Sequence, residues 1–257
     1  MSKSRQAELP TPRDQSLIVR SLGVRIAPGT RLDSHDHPWP QVVYAVEGVL
    51  TLEAEAGAWV VPPHRAVWIP AATEHALEAL GQVTLRTLYV HPRLGPRNPR
   101  RCRVLHVTPL LRELILEIVG GGYLDRRLRP HVRLAGVLVD RLAAAAEVPV
   151  DLPLPSDPRA RRVADRVRKT PDDAVSLEVL SSDAGATART LERLFVKETG
   201  LTFGRWRRHA RLVEAIRRLG EGRSVTQVAL DCGYATPSAF ISMFKRELGT
   251  TPGRYFT

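Results

Sequence analysis

The sequence predicts a two-domain α+β protein: an N-terminal β-barrel followed by helices, then an all-α C-terminal domain in which a long helix joins two helix-turn-helix motifs. Three observations predict it. Short runs rich in Val, Tyr, Trp and Thr recur between Val24 and Pro92, broken at close intervals by glycine and proline. Apolar residues at helical spacing take over from Thr108. Between these regions and the last hundred residues, VPVDLPLPSDP carries four prolines and no apolar periodicity.

A chain of 257 residues has room for two cores. With 43% hydrophobic and 25% charged residues it reads as globular, which excludes a disordered or fibrous chain. No stretch approaches the roughly 20 apolar residues of a membrane span, and the polar start MSKSRQAELPTPRDQ lacks a signal peptide's apolar run. The expectation is a cytoplasmic, nucleoid-associated protein with no membrane partner. Its two cysteines, Cys102 and Cys232, fall in different predicted domains, which excludes a disulfide framework and a clustered cysteine metal site. The net charge of +11 favours a polyanionic partner, because clustered Arg and Lys release counterions from phosphates. Residues 159–257 hold 19 Arg and Lys against 11 Asp and Glu, so most of the excess is C-terminal. A solvated basic surface is the other reading of charge alone.

Residues 1–97 form the predicted barrel, with strands at VVYAV, VLTLEA, WVV, AVWIP and VTLRTLYV and breaks at Glu47-Gly48, Ala56-Gly57, Pro62-Pro63 and Gly81. RLGPRNPRR ends the sheet region. Residues 98–147 are a helical segment that closes the barrel or pairs two chains. Thr108 caps its first helix, Pro109 opens it, and Gly120 to Gly122 stop it. Leu111, Leu114, Ile115 and Ile118 make a stripe suited to a homodimer contact. A second helix covers about 131–146. Residues 148–158 read as a stiff linker and 159–257 as the C-terminal domain.

Two helix-turn-helix patterns lie about 50 residues apart in that domain. In the first, Leu177, Leu180 and Ala184 give a short helix, Gly185-Ala186 a turn, and Thr187 the cap of a second helix. Leu191, Leu194 and Phe195 face inward, which leaves Arg189, Glu192, Arg193 and Lys197 outside. Arg bonds guanine O6 and N7, and Glu accepts from cytosine N4. In the second, Val225, Val228, Ala229 and Cys232 form the first stripe, Gly233 the turn, and Thr236-Pro237 the start of the reading helix. Phe240, Met243 and Phe244 point inward. Ser238, Ala239 and Ser242 then meet bases or thymine methyls, while Thr187, Lys197, Thr236, Lys245 and Arg246 are the candidates for phosphates. A single amphipathic pair is ordinary bundle packing; two copies with glycine turns point to double-stranded DNA. Between them, Thr202 to about Leu219 reads as a strut with Arg205, Arg207, Arg208, Arg211, Arg217 and Arg218 largely outside.

The stretch ALDCGYATPSAFISMFKRELGTTPGRYF resembles the signature of the AraC/XylS family of transcriptional regulators, and the likeness extends over about the last 90 residues. It implies two recognition helices in successive major grooves, with Arg189, Glu192 and Arg193 in one and Ser238, Ala239 and Ser242 in the next. Asp183 departs from the family, and a carboxylate near phosphates would weaken the first unit.

The front segment GTRLDSHDHPWPQVVYAVEG, with PAATEH after it, resembles the two motifs of the cupin fold. Gln41 stands where the first motif has Glu, and Ala72 where the second has glycine. The resemblance implies a cluster of His35, His37, Gln41 and His75 inside the barrel. Imidazoles two apart on a strand share one face, and with an oxygen donor they suit a divalent metal: Zn, Fe, Ni or Cu. The other readings are an effector pocket lined by Trp39, Tyr44, Trp59 and Trp68, and a plain core with no ligand.

Two functions follow. One is a regulator, not an enzyme, in which a small-molecule effector or metal in the barrel controls the reading helices; the family resemblance adds a neighbouring transporter or efflux gene as its target. The alternative is a cupin-type metal-dependent enzyme with a nucleic-acid-binding tail, against which stand Gln41 and the lack of a carboxylate base within the two motifs.

Overall fold

The structure, a computed structural model, describes residues 15–94, 101–148, 151–172 and 175–256. The predicted strands are present but two of the predicted breaks are not. VVYAV and VLTLEA are one strand, β3 (Gln41–Ala54), and β6 (His75–Val90) runs unbroken past Gly81. Each long strand bends from one sheet layer into the other. The first half of β3 pairs β5 (Arg65–Ile69), its second half pairs β4 (Gly57–Val61), and β6 follows it along both. The register shifts between Ala45 and Val49, where Gly48 has φ +79° and a Cβ would lie 2.2 Å from the Gln82 carbonyl oxygen. Only glycine permits that bulge. β1 (Leu17–Ile26) and β2 (Arg31–His35) complete the barrel on β6.

The segment expected to be helical also contributes strands. β7 (Arg103–His106) pairs β5, and β8 (Tyr123–Asp125) pairs β1. Between and after them lie α1 (Pro109–Gly121), capped by Thr108 as expected and ended at Gly122, and α2 (Arg129–Ala144). Most of RLGPRNPRR lies outside the described residues.

α1 packs on its own barrel. Leu111, Ile115 and Ile118, with Leu138 and Leu142 of α2, bury against Val42, Tyr44, Trp68 and Leu88. Leu114 is buried too. The stripe expected to pair two chains is therefore committed within one chain.

The proline-rich stretch is extended but is not a free linker. β9 (Asp151–Pro153) adds to β4, and Leu152 and Leu154 are buried in a core that continues from the barrel into the helical domain. That domain comprises α3 (Pro158–Lys169), α4 (Leu177–Asp183), α5 (Ala188–Thr199), α6 (Phe203–Gly220), α7 (Val225–Asp231), α8 (Pro237–Leu248) and the unforeseen α9 (Pro252–Tyr255). α6 passes so close to the barrel that a Cβ on Gly220 would lie 2.4 Å from a Val49 methyl.

Candidate nucleic-acid interface and barrel site

The two helix pairs, α4 with α5 and α7 with α8, are built alike. Their turns use Gly185 (φ +67°) and Gly233 (φ +76°). Thr187 accepts a hydrogen bond from the Thr190 amide, and Thr236 accepts one from the Ala239 amide. Leu191 and Phe195, and Phe240 and Phe244, are buried at matching positions. Because each capping oxygen uses a lone pair to accept, the Thr236 hydroxyl keeps its proton for an acceptor such as phosphate.

The outward faces differ. Arg189, Arg193 and Lys197 are exposed on α5, and Ser238, Ala239, Ser242, Lys245 and Arg246 are exposed on α8. Arg246 pairs with Glu247 at 3.1 Å, a surface contact that solvent screens. Glu192 is a correction to the sequence reading: its carboxylate accepts from the Phe203 amide at 2.7 Å and so caps α6. Replacing it with Ala should cost about 0.5–2 kcal/mol of stability, measured by thermal unfolding, with no change in which bases are preferred. Asp183 is ion-paired with Arg166, which offsets the charge that would repel phosphates.

α6 also differs from expectation. Arg205 and Arg208 are exposed, whereas Arg207, Arg211, Arg217 and Arg218 are half-buried. Arg211 donates to the Pro171 carbonyl at 2.8 Å, and Arg217 and Arg218 both bond Glu214. These arginines fix the helix in place. Periodicity missed this because α6 is packed on more than one side: Gly220 abuts Val49 of the barrel, and Leu212 and Ala215, on the side away from it, are buried as well.

In the barrel the two cupin-like stretches meet. His35 lies opposite His75 across β2 and β6, and His37 falls in the loop beyond β2 instead of on it. The ring centroids of His35, His37 and His75 stand 4.5–6.2 Å apart. The Ala72 amide donates to the His37 carbonyl at 2.9 Å, and Ala72 takes φ +53°, the left-handed conformation for which glycine is the easier residue. Each Nδ1 faces a backbone carbonyl: Asp33 at 2.8 Å, Trp39 at 2.6 Å and Thr73 at 2.7 Å. Gln41, buried, lies with its Oε1 2.8 Å from His37 Nε2 and donates from Nε2 to Thr87 and Tyr89 at 3.0 Å each. The Thr87 hydroxyl donates in turn to the Val42 carbonyl, which fixes the orientation of the Gln41 amide.

Both His37 nitrogens thus face acceptors. His75 is fully buried, its Nε2 has no hydrogen-bond partner, and burial lowers its pKa to about 4. At neutral pH it keeps a lone pair on that nitrogen. Three imidazoles on one tetrahedral ion have centroids about 5 Å apart, a separation that the three rings approach. As it stands the cluster is closed by the His37 to Gln41 bond, and among the described residues no group of His, Cys, Asp and Glu is disposed to hold an ion.

The four expected pocket aromatics do not share a cavity. Gln41 and Val43 face the barrel interior, so Tyr44, one residue on, faces away. Trp68, opposite Val42, does the same, and both pack under α1 and α2. Trp59 belongs to the opposite core, and Trp39 lies under the Arg20 guanidinium at 4.5 Å. The sequence could not show that helices from later in the chain cover the sheet's outer face.

Comparison with known proteins agrees with this architecture. A cupin domain model matches residues 23–91 and a helix-turn-helix domain model residues 180–257. The HTH-type transcriptional regulator NimR of Escherichia coli (strain K12) is 37% identical over 221 residues, covering 86% of this chain and 81% of that one. RipA of Corynebacterium glutamicum, also an HTH-type transcriptional regulator, is 38% identical over 105 residues, covering 41% and 32%. A solved structure of fatty-acid-bound ToxT from Vibrio cholerae aligns with a TM-score of 0.40 at 11% identity over 96% of each chain. The named relatives are regulators, which removes the support for the enzyme alternative, and no helix among the described residues is long and apolar enough to cross a membrane. By its matched domains and its likeness to NimR, the chain belongs to the AraC/XylS family of DNA-binding transcriptional regulators with an N-terminal cupin domain.

Proposed function

We propose that this regulator reads two neighbouring major grooves with α5 and α8 and is controlled by a small molecule or metal held in the barrel. The repetition of one device carries the reading: both reading helices have 12 residues and a threonine cap, both first helices have 7, and each connection holds a left-handed glycine two residues past the first helix. The 18 residues of α6 span about 27 Å, a length that suits reading heads about one turn of DNA apart. Arg189 and Arg193 serve one groove and Ser238, Ala239 and Ser242 the next, with Thr187, Lys197, Thr236, Lys245 and Arg246 on phosphates. The protein works in the cytoplasm on the nucleoid, and its target is a neighbouring transporter gene. Mapping bound genomic fragments with and without candidate small molecules tests this. Enrichment of transporter promoters that shifts with one compound supports it, and fragments bound without sequence preference contradict it.

The His75 Nε2 left unpaired in a buried site favours a divalent metal, Zn, Fe, Ni or Cu, as an occupant of the barrel. His35, His37 and His75 would hold it, with Gln41 as the oxygen donor. Such an ion would offer an open coordination position to an effector. Protein purified without an affinity tag should carry about one equivalent by elemental analysis. His75→Ala should lose it, and Gln41→Glu, by restoring a charge, should bind it more tightly. A homodimer would form through the exposed Leu110, Val132 and Val137, since the Leu111 stripe is occupied.

A further inference from the structure

The chain enters each helix pair from a longer helix, α3 before α4 and α6 before α7, and both longer helices send arginine side chains to the same place. α4 and α7 each end on an aspartate at their seventh and last residue, Asp183 and Asp231. A carboxylate there faces the negative end of the helix dipole, and neither helix has a basic residue in its last turn to offset it. The compensation comes from outside. Arg166 of α3 is ion-paired with Asp183, and Arg218 of α6 lies 3.1 Å from the Asp231 carboxylate. The carbonyls at these helix ends are served too: Arg162 donates to that of Ala184 at 2.9 Å, and Arg218 to that of Asp231 at 3.3 Å.

The backbone they grip is the same in both units. The Gly185 amide donates to the Ser182 carbonyl at 3.0 Å and the Ala186 amide to that of Ser181 at 2.9 Å. Likewise the Gly233 amide donates to the Leu230 carbonyl at 2.9 Å and the Tyr234 amide to that of Ala229 at 3.0 Å. Beyond the glycine the connections diverge, since Thr187 follows Gly185 by two residues and Thr236 follows Gly233 by three. What recurs is thus the aspartate, the left-handed glycine and the arginine from the preceding helix. The surroundings differ: the Asp183 side chain is 57% exposed and that of Asp231 23%, with Arg223 at 3.4 Å and Gln227 at 2.6 Å as its further partners.

We propose that Asp183 and Asp231 are positioning residues for DNA reading: each, through its arginine, locks the turn that sets the angle at which α5 or α8 meets a groove. An unlocked turn lets the reading helix swing, and base contacts, which demand alignment, suffer more than contacts to phosphate. Both arginine-bearing helices also touch the barrel, α3 through the 3.0 Å pair of Arg168 with Glu53 and α6 through Gly220 against Val49. Each lock therefore ties a reading head to an element that the barrel holds.

The proposal rests on the reading of α5 and α8 as the DNA-contacting helices. Its test is a fluorescence-anisotropy titration of the full chain with a duplex that wild type selects from a random-sequence pool, and with a scrambled version of that duplex. The ratio of the two affinities cancels the charge that an aspartate-to-asparagine change adds, because phosphate attraction is independent of sequence. Asp231→Asn should lower that ratio about ten-fold, and Asp183→Asn, at an exposed ion pair, about three-fold. Asp183→Glu keeps the carboxylate and should restore it. A merely structural role would lower both affinities together and leave the ratio as in wild type. An unchanged ratio in both asparagine variants, or an Asp183→Glu variant as impaired as Asp183→Asn, would overturn the proposal. A wild type that selects no common sequence would overturn the reading of α5 and α8 themselves, and the proposal with it.

Discussion

Arg193→Ala should lower affinity for the cognate operator about ten- to a hundred-fold and leave the unfolding temperature unchanged. The side chain is exposed on α5, one turn beyond Arg189, and makes no ion pair or hydrogen bond among the described residues. Deleting it therefore removes nothing from the fold. An arginine placed bidentate on guanine contributes about 1–3 kcal/mol of discrimination, so the loss should fall on specific binding and relax preference at one base pair. Lys197→Ala should instead weaken all sequences alike and reduce the salt dependence by about one counterion. Titration of labelled operator and of scrambled duplex at two salt concentrations separates the two behaviours.

Trp206→Ala should destabilise the protein by about 3–5 kcal/mol, a large share of the roughly 5–15 kcal/mol that holds a domain folded. Trp206 is fully buried, its ring centroid lies 5.1 Å from that of Phe195, and Phe195 in turn meets Phe203 at 5.2 Å. Its N–H donates to the Pro153 carbonyl at 2.7 Å. One side chain thus ties α6, α5 and β9 together, and β9 belongs to the barrel sheet. Trp206→Phe keeps most of the apolar volume but leaves the Pro153 carbonyl without its donor, at a cost of about 1–3 kcal/mol. Thermal unfolding followed by circular dichroism should rank wild type above Trp206→Phe above Trp206→Ala. A chain in which α6 were only a solvent-exposed strut would lose far less.

The helical half was legible because its signals are local. Thr187 and Thr236 each cap the helix assigned to them, and Gly185 and Gly233 stand where the chain turns left-handed. What stayed hidden depends on contacts distant in sequence. Glu192 is exposed by helical periodicity, yet the start of α6 folds back onto it. The arginines of α6 read as a solvent face, but Arg207 and Arg211 bond the carbonyls of Val175 and Pro171, and Arg218 pairs with Asp231 of α7. In the barrel, Gly48 and Gly81 mark real irregularities, and sequence alone reads a bend and a break alike. Tyr44 and Trp68 have the composition of a pocket wall, and only α1 and α2, added later in the chain, place them in a core.

The measurement that bears most directly on two-groove reading is hydroxyl-radical footprinting of the operator by wild type, Arg193→Ala and Ser238→Ala. Two protected patches about 10 base pairs apart on one face of the duplex are predicted, the Arg193 variant losing protection at one patch and the Ser238 variant at the other. A single patch, or both variants weakening the same one, would contradict the account.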